Sequence, residues 1–113
     1  MEDQTRTLAE ITRLARRFRD HLPEVDRHYN ALSEEVYRDG ALAARQKRLT
    51  ALAVAVTHGC TGCMLFQAEA ALELGASREE VLETLAVAVA LGGSMASSKT
   101  AQVMAYLERK QQV

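Results

Sequence analysis

From Leu8 onward the apolar positions fall at Leu8, Ile11, Ala15, Phe18, Leu22, Val25, Tyr29, Leu32 and Val36. Steps of three and four place them on one stripe of an α-helix. Pro23 fits a first helical turn and disrupts an interior, so the stripe divides into two helices, about Gln4 to Asp20 and Pro23 to Arg38, with a bend near His21. Asp39 and Gly40 end the second. From about Ala43 to Thr57 the chain reads RQKRLTALAVAVT in its main part, polar first and then almost wholly apolar. That is the pattern of a helix that enters from the surface and ends buried on all sides. Its alternating Ala and Val imitate a strand, but both are apolar and define no polar face, so one long helix is expected up to the break at Gly59. A fourth helix runs from about Thr61 to Leu74 and closes at Gly75. Ser77 and Glu80 form a capping box for a fifth, which reaches about Leu91 through the apolar run LAVAVAL. Gly92 and Gly93 interrupt it, and a sixth, about Ser94 to Lys110, offers Ala96, Val103, Tyr106 and Leu107 for packing. No strand is needed, and the expected fold is all-α with about six helices.

At 113 residues, with one proline and no Gly/Ser-rich linker, the chain is expected to form a single domain, 1–113, whose first 40 residues make a helical arm. Aromatic residues are 4% and tryptophan is absent, so alanine, leucine and valine fill the interior and helices can approach closely. In so short a chain, the apolar helices and the stripe from Leu8 to Val36 expose more apolar surface than one protomer covers, so a homo-oligomer is expected. A net charge of −1, with basic and acidic residues interleaved in RTLAEITRLARRFRD, creates no single-sign field to attract nucleic acid or an anionic membrane. No apolar run approaches the roughly 18 residues of a membrane span. MEDQTRTLAE lacks the apolar core of a secretory signal, and a reducing cytoplasm is the expected compartment.

Both cysteines lie in THGCTGCMLFQ, three residues apart. A structural staple usually joins distant segments, whereas a lone CxxC in a reducing compartment suits reversible two-electron chemistry. Its place at a helix start adds unpaired N–H groups and a positive dipole end, which favour thiolate. The bland alternative is a pair of buried apolar cysteines. Zinc wants four ligands, and the two sulfurs with His21, His28 and His58 show no recognised ligand spacing, so no metal is expected. Covalent haem would need a histidine where Met64 stands, and no cofactor is called for. His21, His28, Tyr29 and Tyr106 read as core-edge or surface residues, and Glu69 and Glu73 as the solvated side of the fourth helix.

LTALAVAVTHGCTGC, AEAALELGASREEVLETL and VALGG, in that order between Leu42 and Tyr106, resemble the carboxymuconolactone decarboxylase family, in particular its alkylhydroperoxidase D-like branch. The resemblance implies a small all-α protein, trimeric or hexameric, with residues 42–106 as family core. It implies that Cys60 and Cys63 reduce peroxides or pass electrons from a dithiol donor. That branch usually carries a histidine four residues after the second cysteine and a glutamate twelve before the first, where this chain has Gln67 and Arg48. Gln67, one turn from Cys63, can hydrogen-bond a sulfur or a water but cannot take a proton. Arg48, if aimed at Cys60, would stabilise a thiolate by charge. The relay is replaced or lost. His58 is the nearest group able to titrate near neutrality and stand in as a base; otherwise it is a solvated histidine at a helix end. The leading expectation is a thiol-disulfide oxidoreductase or weak peroxidase. The rivals are a non-catalytic oligomeric scaffold or partner-binding protein of the same fold and, ranked last, a lactone decarboxylase.

Overall fold

The computed structural model describes residues 1–111. Among them six helices and no strand occur: α1 Gln4–Asp20, α2 Pro23–Val36, α3 Ala44–His58, α4 Thr61–Glu73, α5 Arg78–Gly92 and α6 Ser94–Gln111. The helix boundaries follow local chemistry. Asp3 caps α1 by accepting from the Thr5 N–H at 3.0 Å. Ser77 and Glu80 form the expected reciprocal box at α5, at 2.9 and 3.0 Å. Pro23 occupies the first turn of α2. That helix stops at Val36, where Lys47 Nζ reaches back from α3 to the carbonyls of Val36 and Arg38 at 2.9 and 2.6 Å.

The body is built on α3, which packs most extensively against α4 and next against α5, while α6 and α1 close the other side. Leu52 and Val56 of α3, Met64 and Leu65 of α4, Val81 of α5, and Val103 and Leu107 of α6 are fully buried there. Burying each such side chain contributes about 1.5–3 kcal/mol relative to leaving it in water.

Two expectations need correction. The apolar end of α3 is not enclosed on all sides, since Val54 is 53% exposed, and the apolar run of α5 likewise leaves Val87 65% and Leu91 92% exposed. Tyr106 packs as expected, but inside the core and not at its edge or surface: it is fully buried, and its hydroxyl donates to Glu69 Oε2 at 3.3 Å. Glu69 is accordingly half-buried, because α6 lies across α4, while Glu73 is exposed as expected.

Burial first, and then the Glu69 and Glu73 carboxylates, push the Tyr106 phenol well above its usual range. An unfolded chain loses that proton above about pH 10, whereas the folded one keeps it, so stability falls as pH rises through that value. Tyr106→Phe should therefore cost about 1 kcal/mol at neutral pH through the lost hydrogen bond. Its deficit should shrink at about pH 11 in urea unfolding, because the variant lacks this alkaline loss.

Helix α2 buries no residue and packs against no helix but α1. Along the arm Phe18, Val25, Tyr29, Leu32 and Val36 are all exposed, Phe18 at 65% and Leu32 at 64%. The stripe read from the sequence therefore exists, and beyond Leu8, which joins the core, most of it has no cover within the protomer.

Candidate functional site

The link between α3 and α4 is two residues long. Gly59 closes α3 with φ 71°, a left-handed conformation that glycine adopts without strain. Cys60 then turns to an extended conformation and becomes the N-cap of α4, its own N–H donating to the Ala55 carbonyl at 3.0 Å. Its Sγ accepts the Cys63 N–H at 3.3 Å. Cys60 and Cys63 are joined in a disulfide, with Cα atoms 5.2 Å apart. Gly62 lies between them because α1 crosses there: a Cβ at this position would stand 2.9 Å from Ile11 Cγ2. Thr61 Oγ1, donating to Gln102 Oε1 at 3.3 Å, ties the same turn to α6. The dithiol thus sits on a helix start held from two sides. Cys60 is half-buried and Cys63 is exposed.

Both cysteines open on a cavity of about 630 Å³ between α3, α4 and the end of α2. Val36, Leu42, Val54 and Ala55 make its apolar wall, and Tyr37, Lys47, His58 and Gln67 bring polar groups to it. Gln67 follows Cys63 by one helical turn, and both line the cavity. His58, the last residue of α3, is exposed at its edge. His21 and His28 remain out on the arm, exposed.

Arg48 reaches this wall through Gln67. Its Nη1 donates to Gln67 Oε1 at 3.1 Å, and its guanidinium lies 3.7 Å from the centre of the Tyr37 ring and 5.8 Å from that of Phe66. Among the described residues it has no carboxylate partner. The amide Nε2 of Gln67 in turn faces the Tyr37 hydroxyl at 3.5 Å. Arg48, Gln67 and Tyr37 therefore form one chain of contacts behind the dithiol.

Sequence reasoning overlooked Tyr37 and Lys47. Tyr37 stands 30 positions before Gln67 and just past a helix end, where periodicity says nothing about direction. A signal for Lys47 was present: a lysine in the first turn of a helix, adverse to the dipole, must find acceptors elsewhere.

The profile of the carboxymuconolactone decarboxylase family matches residues 23–106. The chain belongs to the carboxymuconolactone decarboxylase family. The family match takes in α2 as well as the stretch from Leu42 onward on which the sequence resemblance rested. A carboxymuconolactone decarboxylase family protein from Legionella pneumophila is 33% identical and superposes with a TM-score of 0.85, over 96% of this chain and 97% of that one. Another member, from Thermotoga maritima and described as a candidate for antioxidative response, is 24% identical with a TM-score of 0.78, over 93% of this chain and 91% of its own. At that identity the likeness concerns the fold alone. Among curated relatives, an uncharacterised protein of Cupriavidus necator is 32% identical over 101 residues, 77% of this chain and 89% of the relative. An uncharacterised protein of the cox locus of Paracoccus denitrificans is 33% identical over 84 residues, 74% of this chain and 76% of its own.

Proposed function

We propose that this family member is a thiol-disulfide oxidoreductase with peroxidase activity, of the alkylhydroperoxidase D-like kind, whose proton relay has been altered. The observation that carries the reading is the joined Cys60–Cys63 pair at the start of α4, opening on an apolar cavity. Cys63 is the exposed member and meets the oxidant. Its thiolate takes the distal oxygen of a hydroperoxide, forming an S–O bond as the O–O bond breaks, and the departing alkoxide becomes an alcohol on gaining a proton. Cys60 then attacks the sulfenic sulfur, the disulfide forms and water leaves. An external dithiol resets the pair by attacking Cys63. The released Cys60 thiolate is stabilised by the Cys63 N–H and the positive end of α4. A reducing cytoplasm suits such cycling.

Reduced protein should lose both free thiols on mild hydroperoxide treatment, with one peroxide consumed per pair. An unchanged thiol count would sink the reading.

The same proposal includes self-association as a trimer or hexamer. What supports it is the uncovered stripe on α1 and α2 and the exposed Val87, Leu91 and Met95. Light scattering at micromolar concentration should give a multiple of the 12.4 kDa protomer. A monomeric mass would remove this part alone.

One observation favours a scaffold without turnover. Gln67 and Arg48 hold each other where the branch has its proton-transferring pair. The cysteine substitutions discussed below separate the two readings.

A further inference from the structure

We infer that Tyr37 is the proton donor to the departing oxygen, held in that role by Gln67 and Arg48; this rests on the peroxidase reading above. A guanidinium has only donors, so the Gln67 atom facing Arg48 at 3.1 Å must be the amide oxygen. That leaves the Gln67 NH₂ facing the Tyr37 hydroxyl at 3.5 Å. Since an amide NH₂ only donates, the phenol oxygen accepts there, and its own hydrogen is not used in that contact. Among the described residues nothing accepts it. Tyr37 and Gln67 both line the cavity that holds the cysteines, so the unclaimed hydrogen is available to whatever occupies it. The Arg48 guanidinium stacked on the ring at 3.7 Å holds the phenol in place.

When the Cys63 thiolate takes the distal oxygen, negative charge gathers on the alkoxide. Tyr37 gives it a proton, the alcohol leaves, and the phenolate recovers a proton from water. A phenol yields a proton far more readily than the alcohol it forms, so the transfer is downhill. Tyr37 thus supplies the acid half of a relay that Gln67 cannot carry out itself. Gln67 and Arg48 are positioning residues that choose the direction of one O–H.

The test compares leaving groups. An alkyl hydroperoxide expels an alkoxide that needs a proton, whereas a peroxy acid expels a carboxylate that does not. Reduced wild type, Tyr37→Phe and Gln67→Glu are mixed with tert-butyl hydroperoxide and with peracetic acid, and thiol loss is followed by stopped flow. Tyr37→Phe keeps the ring under Arg48 and removes only the hydroxyl. Gln67→Glu keeps the contact with Arg48 but offers the phenol an acceptor, which turns its hydrogen away from the cavity. In both variants the ratio of the alkyl hydroperoxide rate to the peroxy acid rate should fall roughly 10²-fold, the lower end of the range for a positioned general acid. An unchanged ratio in either variant, including equal slowing with both oxidants, overturns the proposal and leaves the peroxidase reading standing. Wild type that consumes peracetic acid but not tert-butyl hydroperoxide overturns both.

Discussion

Cys63→Ser should lose peroxide turnover by about 10³-fold or more, and Cys60→Ser by a similar amount, while the two differ in a single encounter with oxidant. The steady-state losses match because the cycle needs both sulfurs, one to take the oxygen and one to expel it as water. The single-encounter difference follows from position. Cys63 is exposed on the cavity wall, so Cys60→Ser leaves a thiol that still reacts once and stops at the sulfenic acid. Cys63→Ser leaves only the half-buried N-cap sulfur, which accepts its N–H from residue 63 and faces the oxidant less openly. Mass spectrometry after trapping with a sulfenic-acid reagent should show an adduct on Cys60→Ser and little on Cys63→Ser. The reverse pattern would exchange the two roles. If both variants keep every activity of the wild type, the scaffold reading stands instead.

The second large effect is a gain. Arg48→Glu combined with Gln67→His should raise kcat/KM for a hydroperoxide roughly 10²–10⁴-fold, the range for a positioned acid-base group. The geometry supports the pair and not either change alone. Residues 48 and 67 already meet at 3.1 Å, so a carboxylate at 48 would accept from an imidazole at 67 and orient it one turn from Cys63. Gln67→His by itself would face the Arg48 cation, which offers an imidazole no acceptor and disfavours its protonated form. The double variant also gives up the stacking of Arg48 on Tyr37, worth about 0.5–2 kcal/mol, so a lower melting temperature should accompany the faster turnover. Turnover no higher than that of the wild type would show that the restored pair adds nothing beyond the proton donation it displaces at Tyr37.

Much of the fold was legible because it is written in neighbours a few residues apart. Pro23 in the first turn of α2, the Ser77–Glu80 box, Gly59 with its positive φ and the cysteines at the start of α4 all appear where the local pattern placed them. Gln67 on the wall beside Cys63 follows from one helical turn. The misreadings share a cause. The apolar end of α3 predicts a helix enclosed on all sides, yet periodicity reports only that a face avoids water, and α3 leaves Val54 uncovered in the protomer. Glu69 looked like a solvated side chain until α6 crossed over it and brought Tyr106 to its carboxylate, 37 positions away.

The sequence by itself determined the six helices, the seat of the cysteine pair on a helix N-terminus and the identity of Arg48 and Gln67, where the family resemblance implies a proton-transferring pair. These depend on spacings of one to four residues or on residue identity alone. Only the tertiary structure decided that Arg48 turns to Gln67 and Tyr37, that a phenol shares the dithiol's cavity, and that α2 leaves the body with its stripe bare. Those outcomes join positions 19 and 30 residues apart, and they depend on how helices pack, which no local pattern encodes.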